Sequence, residues 1–348
     1  MAPKVSVLVS TFRPGGLDIT FAGLRDQSFT DYELILIDRR YEKRHYEVAK
    51  LAEAYRVPTI HIPEHRRNGK WMSLAAGWNT GMAVARGEYV LFFQDYCYMP
   101  PGFIEKHLEG HAAYPNTYIV APYRYVTSPP YKLLKFFDFA GQRDRGGNCV
   151  EPDEILKGGV IDEIYAYDKP FSPLQIITLE ETKYPHQDTR VAALGPGLHF
   201  TWIHLKNESL LRSKALEVNG LDERLDRGKG PIDIDWGLRL VRSGTPLVWW
   251  TSPMAYCIDP RNYIRTMPWG AEHERLEGRW SYDDGVTYNQ RRDSETVNGQ
   301  NTRALNPLDL NMLSHGLEGW RDCPPQNKVW RDLPDEVYFG KEIWPDTP

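Results

Sequence analysis

Val5-Ser6-Val7-Leu8-Val9-Ser10, Tyr32-Glu33-Leu34-Ile35-Leu36-Ile37-Asp38 and Tyr89-Val90-Leu91-Phe92-Phe93 decide the fold. Each is a short run dominated by β-branched, aliphatic and aromatic residues, and each closes on or just before a polar residue. Such runs read as strands buried on both faces, the pattern of a parallel sheet. Between them the spacing predicts helices over residues 17–27, 46–55 and 72–85, and a short strand over 59–62. Strand, helix, strand, helix, strand is the order of a doubly wound, Rossmann-like α/β sheet. Ligands of such sheets bind beyond the carboxyl ends of the strands, so Thr11, Arg13, Asp38 and Asp95 are the first residues to examine for chemistry.

Outward from this core the composition changes. Residues 125–195 are rich in Pro, Tyr, Gly and charge with weak periodicity, and read as inserted loops and short helices. Regular structure is expected again from Trp202, with a helix after Pro231. Residues 285–348 are polar and Pro-rich, and read as a C-terminal extension that wraps the domain or joins two copies in a homodimer. The expected organisation is one α/β domain over 1–284 followed by this extension.

The whole chain has 41% hydrophobic and 26% charged residues, ordinary for a globular protein. Its 42 basic and 47 acidic residues leave a net charge of −5, which argues against bulk electrostatic capture of nucleic acid. Cys97, Cys149, Cys257 and Cys323 are far apart without CxxC spacing, and read as reduced thiols. No apolar run is long enough to span a bilayer, and no signal-peptide core precedes the first strand. A cytoplasmic location is the simplest expectation.

The ordered set of motifs resembles family 2 glycosyltransferases. Val5 to Phe12 is similar to that family's opening strand, and Gln27-Ser28-Phe29 followed by Glu33 to Asp38 to its second strand with an acidic end. Asn68-Gly69, Asn79-Thr80-Gly81 and Ala85-Arg86-Gly87-Glu88-Tyr89-Val90 resemble the helix and strand before its metal motif. Val218-Asn219-Gly220-Leu221-Asp222-Glu223 resembles its GGFDE segment. Gly230-Pro231-Ile232-Asp233-Ile234-Asp235-Trp236-Gly237-Leu238-Arg239 resembles its ED-x-D helix start. The resemblance implies a GT-A fold, with a donor half over about 1–125 and an acceptor half over about 126–284. It also implies transfer of a sugar from a UDP, GDP or TDP donor with inversion.

The resemblance carries roles onto particular residues. Asp38 is expected to meet the base or ribose, and Thr11, Asn79 and Trp236 to line the donor site. Gln94-Asp95-Tyr96 stands where the family has Asp-x-Asp, so Asp95 is the candidate ligand of Mn2+ or Mg2+. Its neighbours are not acidic, and Cys257 falls where the family often has a metal-binding His. One carboxylate is few donors for a hard cation. Arg13, Arg39, Arg40, Arg66, Arg67 and Lys70 are the alternative partners of the diphosphate, and a solvated basic face is their plain reading.

Asp233 is the expected general base and Asp235 the second choice; helix capping is the structural role open to both. Arg239 is expected to pair with one of these acids. Trp202, Trp236, Trp249, Trp250 and Trp269 divide between core packing and a stacking platform, with Trp236 the best candidate for stacking. The acceptor is open: a polysaccharide, a glycolipid head group, a protein or a hydroxylated nucleobase. A dinucleotide oxidoreductase is disfavoured, because Thr11-Phe12-Arg13-Pro14-Gly15-Gly16 replaces GxGxxG. A non-catalytic sugar-binding or scaffold protein remains the alternative, favoured by the altered Asp-x-Asp.

Overall fold

The computed structural model describes residues 2–11, 17–38, 41–63, 74–95, 97–126, 181–182, 195–196, 203–223, 232–250, 252–258, 302–304, 306, 309–321 and 323. Within them the alternating pattern unfolds as β1 (Val5–Thr11), α1 (Leu17–Arg25), β2 (Tyr32–Asp38), α2 (Tyr41–Tyr55), β3 (Thr59–Pro63), α3 (Leu74–Val84) and β4 (Tyr89–Gln94). Then come β5 (Cys97–Tyr98), α4 (Phe103–Ala113), β6 (Tyr118–Val120), β7 (Tyr123–Val126), β8 (Glu181–Thr182) and β9 (Gly195–Pro196). The chain continues through β10 (Asn207–Leu211), α5 (Arg212–Glu217), α6 (Ile232–Arg242), β11 (Leu247–Trp249), β12 (Ala255–Ile258) and α7 (Leu310–Leu317).

The main sheet has the order β3-β2-β1-β4-β10-β6-β11-β9. β3, β2, β1 and β4 are parallel, while β10 runs antiparallel to both β4 and β6. The register aligns Thr11 with Asp38 and Ser10 with Gln94, so the polar strand ends lie along one edge. A smaller sheet, β5-β12-β7-β8, begins two residues after Asp95.

Both faces of the sheet are covered, as the unbroken apolar runs require. Val7, Val9, Leu34, Leu36, Leu91 and Phe93 face one buried layer with α1, α2 and α4. Leu8, Ile35, Ile37 and Phe92 face the other, with α3, α6 and α7. Gly81 allows α3 to lie this close, because a Cβ there would stand 2.7 Å from Ile37 Cδ1. The described part of the extension belongs to this layer: Leu310, Leu313 and Leu317 of α7 are buried in it. Arg321 then bonds the Glu33 carboxylate and donates to the Val84 carbonyl at 2.7 Å.

The cysteine expectation fails at Cys97, which is disulfide-bonded. Separation along the chain says nothing about separation across a sheet, and the register sets Cys257 opposite Cys97 on the neighbouring strand. Among the described residues no helix is long and apolar enough to cross a membrane.

A buried polar cluster supports the far side of the sheet. His107 bonds Asn207 Oδ1 and Ser209 Oγ, both at 2.8 Å, and His111 bonds the same Ser209 Oγ at 2.9 Å. Burial pushes His107 down to about 4, and burial together with His107 pushes His111 down to about 3. Unfolded histidine takes its proton near pH ~6.5. The folded state holds these two neutral well below that, so their contribution is complete above ~6.5 and is lost as pH falls toward 4. We expect urea midpoints measured from pH 7 to pH 4 to show a loss of roughly 3–6 kcal/mol, because each tenfold difference in proton affinity between the folded and unfolded chain is worth about 1.4 kcal/mol. His107→Gln should flatten that slope, and an unchanged slope contradicts the assignment.

Candidate active site

At the ends of β1, β2 and β4 the structure brings Thr11, Asp38 and Asp95 into one buried network. The Thr11 hydroxyl donates to Asp95 Oδ2 at 2.8 Å. Asp38 is fully buried, and its two carboxylate oxygens accept from Arg44 Nε and a terminal guanidinium nitrogen, both at 2.7 Å. The same guanidinium reaches Thr11 Oγ1 at 3.4 Å, and His61 Nε2 approaches Asp38 Oδ2 at 2.9 Å. Burial by itself would raise the Asp38 carboxyl, but Arg44 and His61 outweigh it and hold the acid well below the usual carboxylate range. Asp38, expected to face a base or ribose, is thus closed off from solvent and holds the floor of the strand ends together.

Arg44 and His61 were not singled out by the sequence. Arg44 reaches the strand ends because α2 departs from helical geometry at that residue, with φ −142° and ψ 16°. The break turns its side chain under the sheet edge. Within the charged stretch 39–44 the only signal was indirect: an acid ending a buried strand needs a counter-charge.

The start of α6 separates its two acids. Asp235 is buried and accepts from Arg239 Nε at 2.9 Å; Arg239, also buried, donates to the Val218 carbonyl at 2.8 Å. This is the expected pairing of Arg239 with an acid, and it ties α6 to the loop before it. Asp233 has a side chain 31% exposed, with His204 Nδ1 3.7 Å from its Oδ2. Of the two acids, Asp233 is the more exposed and Asp235 the buried one.

Two expected site residues turn out to be structural. Trp236 is fully buried, edge-on to Phe92 and Tyr118 at centroid separations of 6.2 and 6.4 Å, so its ring offers no stacking face. A helix places one flank toward the sheet, and Trp236 lies on that flank. Trp249 is likewise buried in the core. Asn79 is fully buried on α3 and clamps the segment before α6. Its amide donates to the Leu221 carbonyl at 2.9 Å and to Glu223 Oε1 at 2.8 Å, and its Oδ1 accepts from Leu221 N–H at 2.8 Å. Gly220 sits against it with φ +65°, where an added Cβ would stand 2.2 Å from Asn79 Oδ1.

Residues 6–155 match the family model described as Glycosyl transferase family 2. This segment is a family 2 glycosyltransferase domain. The parallel β3-β2-β1-β4 group is the α/β sheet expected from the sequence, extended here across antiparallel β10. No curated protein matches the chain. Residues 1–349 of TarS from S. aureus are similar in structure at 10% identity, over 84% of this chain and 75% of that one, with a TM-score of 0.45. The same TarS segment in complex with UDP gives 10% identity, the same coverage and 0.43. GalNAc-T7 with UDP, GalNAc and Mn2+ gives 11% identity, 87% and 55% coverage and 0.46.

The donor set of this glycosyltransferase does not by itself make a metal site. Among the described residues no three His, Cys, Asp or Glu side chains gather to hold an ion. Asp95 contributes one carboxylate with an oxygen already accepting from Thr11, and the Asp38 carboxylate is taken up by Arg44. Arg13, Arg39, Arg40, Arg66, Arg67, Lys70, Tyr96, Trp202 and Trp269 lie outside the described residues.

Proposed function

We propose that the enzyme transfers a sugar, with inversion, from a nucleotide-sugar donor to an acceptor hydroxyl, with Asp233 as general base. The observation that carries the reading is the division of labour at the start of α6. Asp235 is buried in an ion pair with Arg239, whereas Asp233, two residues earlier, keeps a side chain 31% exposed beside His204. Inverting transfer needs one such carboxylate. It takes the acceptor proton while the acceptor oxygen bonds to the anomeric carbon and the bond to the diphosphate breaks.

The donor nucleotide belongs at the ends of β1, β2 and β4, where α/β sheets bind ligands. Thr11 and Asp95 border that position, and Asp38 with Arg44 forms its floor. In this reading Arg13, Arg40 and Lys70 meet the diphosphate, since guanidinium and ammonium groups pair with phosphate oxygens. Asp95 is the single candidate ligand for Mn2+ or Mg2+. A cytoplasmic location and a homodimer built through the extension remain part of the proposal.

A panel of UDP-, GDP- and TDP-hexoses, assayed for nucleoside diphosphate release with thermal shift in parallel, tests the function. One donor class should both turn over and raise the melting temperature. Neither signal from any donor favours the scaffold reading, which the lone Asp95 supports. Activity surviving EDTA would remove the metal and leave the diphosphate to the cations.

A further inference from the structure

We propose that His204 is a further working residue of the Asp233 site, orienting the carboxylate and accepting from it the proton removed from the acceptor. The inference rests on the reading of Asp233 as the base.

The turn before β10 is built to hold His204 in place. Its peptide N–H donates to Glu208 Oε1 at 2.7 Å, and the next N–H, from Leu205, donates to Glu208 Oε2 at 3.0 Å. The Tyr118 hydroxyl donates to the same Oε2 at 2.6 Å. Leu205 adopts φ +53°, a left-handed conformation uncommon for a side chain of its size. Glu208 is buried, so its carboxylate needs these three donors to offset desolvation. The result is a turn pinned from beneath through its backbone. The His204 ring remains 32% exposed and faces Asp233, with Nδ1 3.7 Å from Oδ2.

A histidine kept for packing would bury its ring. Here the backbone does the structural bonding and the ring borders the reactive acid. The separation exceeds a direct hydrogen bond, so the proton crosses through one water or after a small rotation of Asp233. The acceptor oxygen bonds to the anomeric carbon, the nucleoside diphosphate leaves with the electron pair of the broken bond, and the acceptor proton goes to the Asp233 carboxylate. The resulting carboxylic acid passes that proton to His204 Nδ1. That transfer restores the Asp233 carboxylate; the imidazolium then loses a proton to water, and exchange with solvent returns the tautomer whose Nδ1 accepts, without any further reactant.

The test uses the full chain and the donor that turns over in the panel. His204→Ala should lower kcat at least about tenfold while the donor KM stays within about twofold. Added imidazole should restore part of the rate, and the Asp233→Asn/His204→Ala double variant should be no slower than Asp233→Asn alone. If His204→Ala does not fold, His204→Gln carries the kinetic comparison. A kcat within about twofold of wild type, or a loss that imidazole leaves untouched and that adds fully to Asp233→Asn, overturns the proposal. Loss of turnover in Asp233→Asn with full activity in His204→Ala removes only His204 from the mechanism. Full activity in Asp233→Asn, or no turnover of any donor by the wild type, removes the base reading and this inference with it.

Discussion

Asp233→Asn is expected to lower kcat by about two to four orders of magnitude with donor affinity within about twofold of wild type, because it removes a base and keeps the shape of the side chain. The geometry explains the specificity of that effect. Asp233 is partly exposed, with 31% of its side chain open to solvent, whereas Asp235 is buried. Asparagine there should leave the melting temperature unchanged and abolish only the proton transfer. Asp235→Asn should behave in the opposite way, because it breaks a buried pair with Arg239 and loosens the contact with the Val218 carbonyl. Steady-state kinetics beside thermal melts of the two variants distinguishes them. An active Asp233→Asn enzyme would contradict the assignment.

The second large effect is on stability. Arg44→Met should cost about 3–5 kcal/mol in urea unfolding, since it leaves the Asp38 carboxylate buried without its main counter-charge. Adding Asp38→Asn to that variant should recover part of the loss, because the pair is then removed as a whole. The pH dependence follows from the same bonds. The folded Asp38 carboxyl lies below its unfolded value near ~3.9, so its contribution is present above that pH and is lost as pH falls beneath it. Arg44→Met should shrink this acid limb. An unfolding midpoint equal to wild type would mean that Arg44 does not neutralise Asp38.

The strands of this enzyme were legible because burial on both faces demands unbroken apolar runs, and the ends of those runs point to Thr11, Asp38 and Asp95. The partners of these residues were harder to read. Arg44 looks like one of several surface cations, and only the break in α2 turns it inward. Asn79 and Trp236 read as ligand contacts in the sequence, yet what each touches comes from across the fold. Asn79 clamps Leu221 and Glu223, and Trp236 packs on Phe92 and Tyr118. Local sequence carries residue type and spacing but not such distant neighbours. The separation of Asp233 from Asp235 was half visible, since helical spacing sends them to different sides and only the structure shows that Asp235 is the acid paired with the buried Arg239.

The anomeric configuration of the first product, followed by 1H NMR during transfer from an α-linked donor, tests the central claim most directly. A single carboxylate acting as base on the acceptor predicts a β-linked product in the wild type and none from Asp233→Asn. An α-linked product, or the same product formed at the same rate by Asp233→Asn, would contradict it.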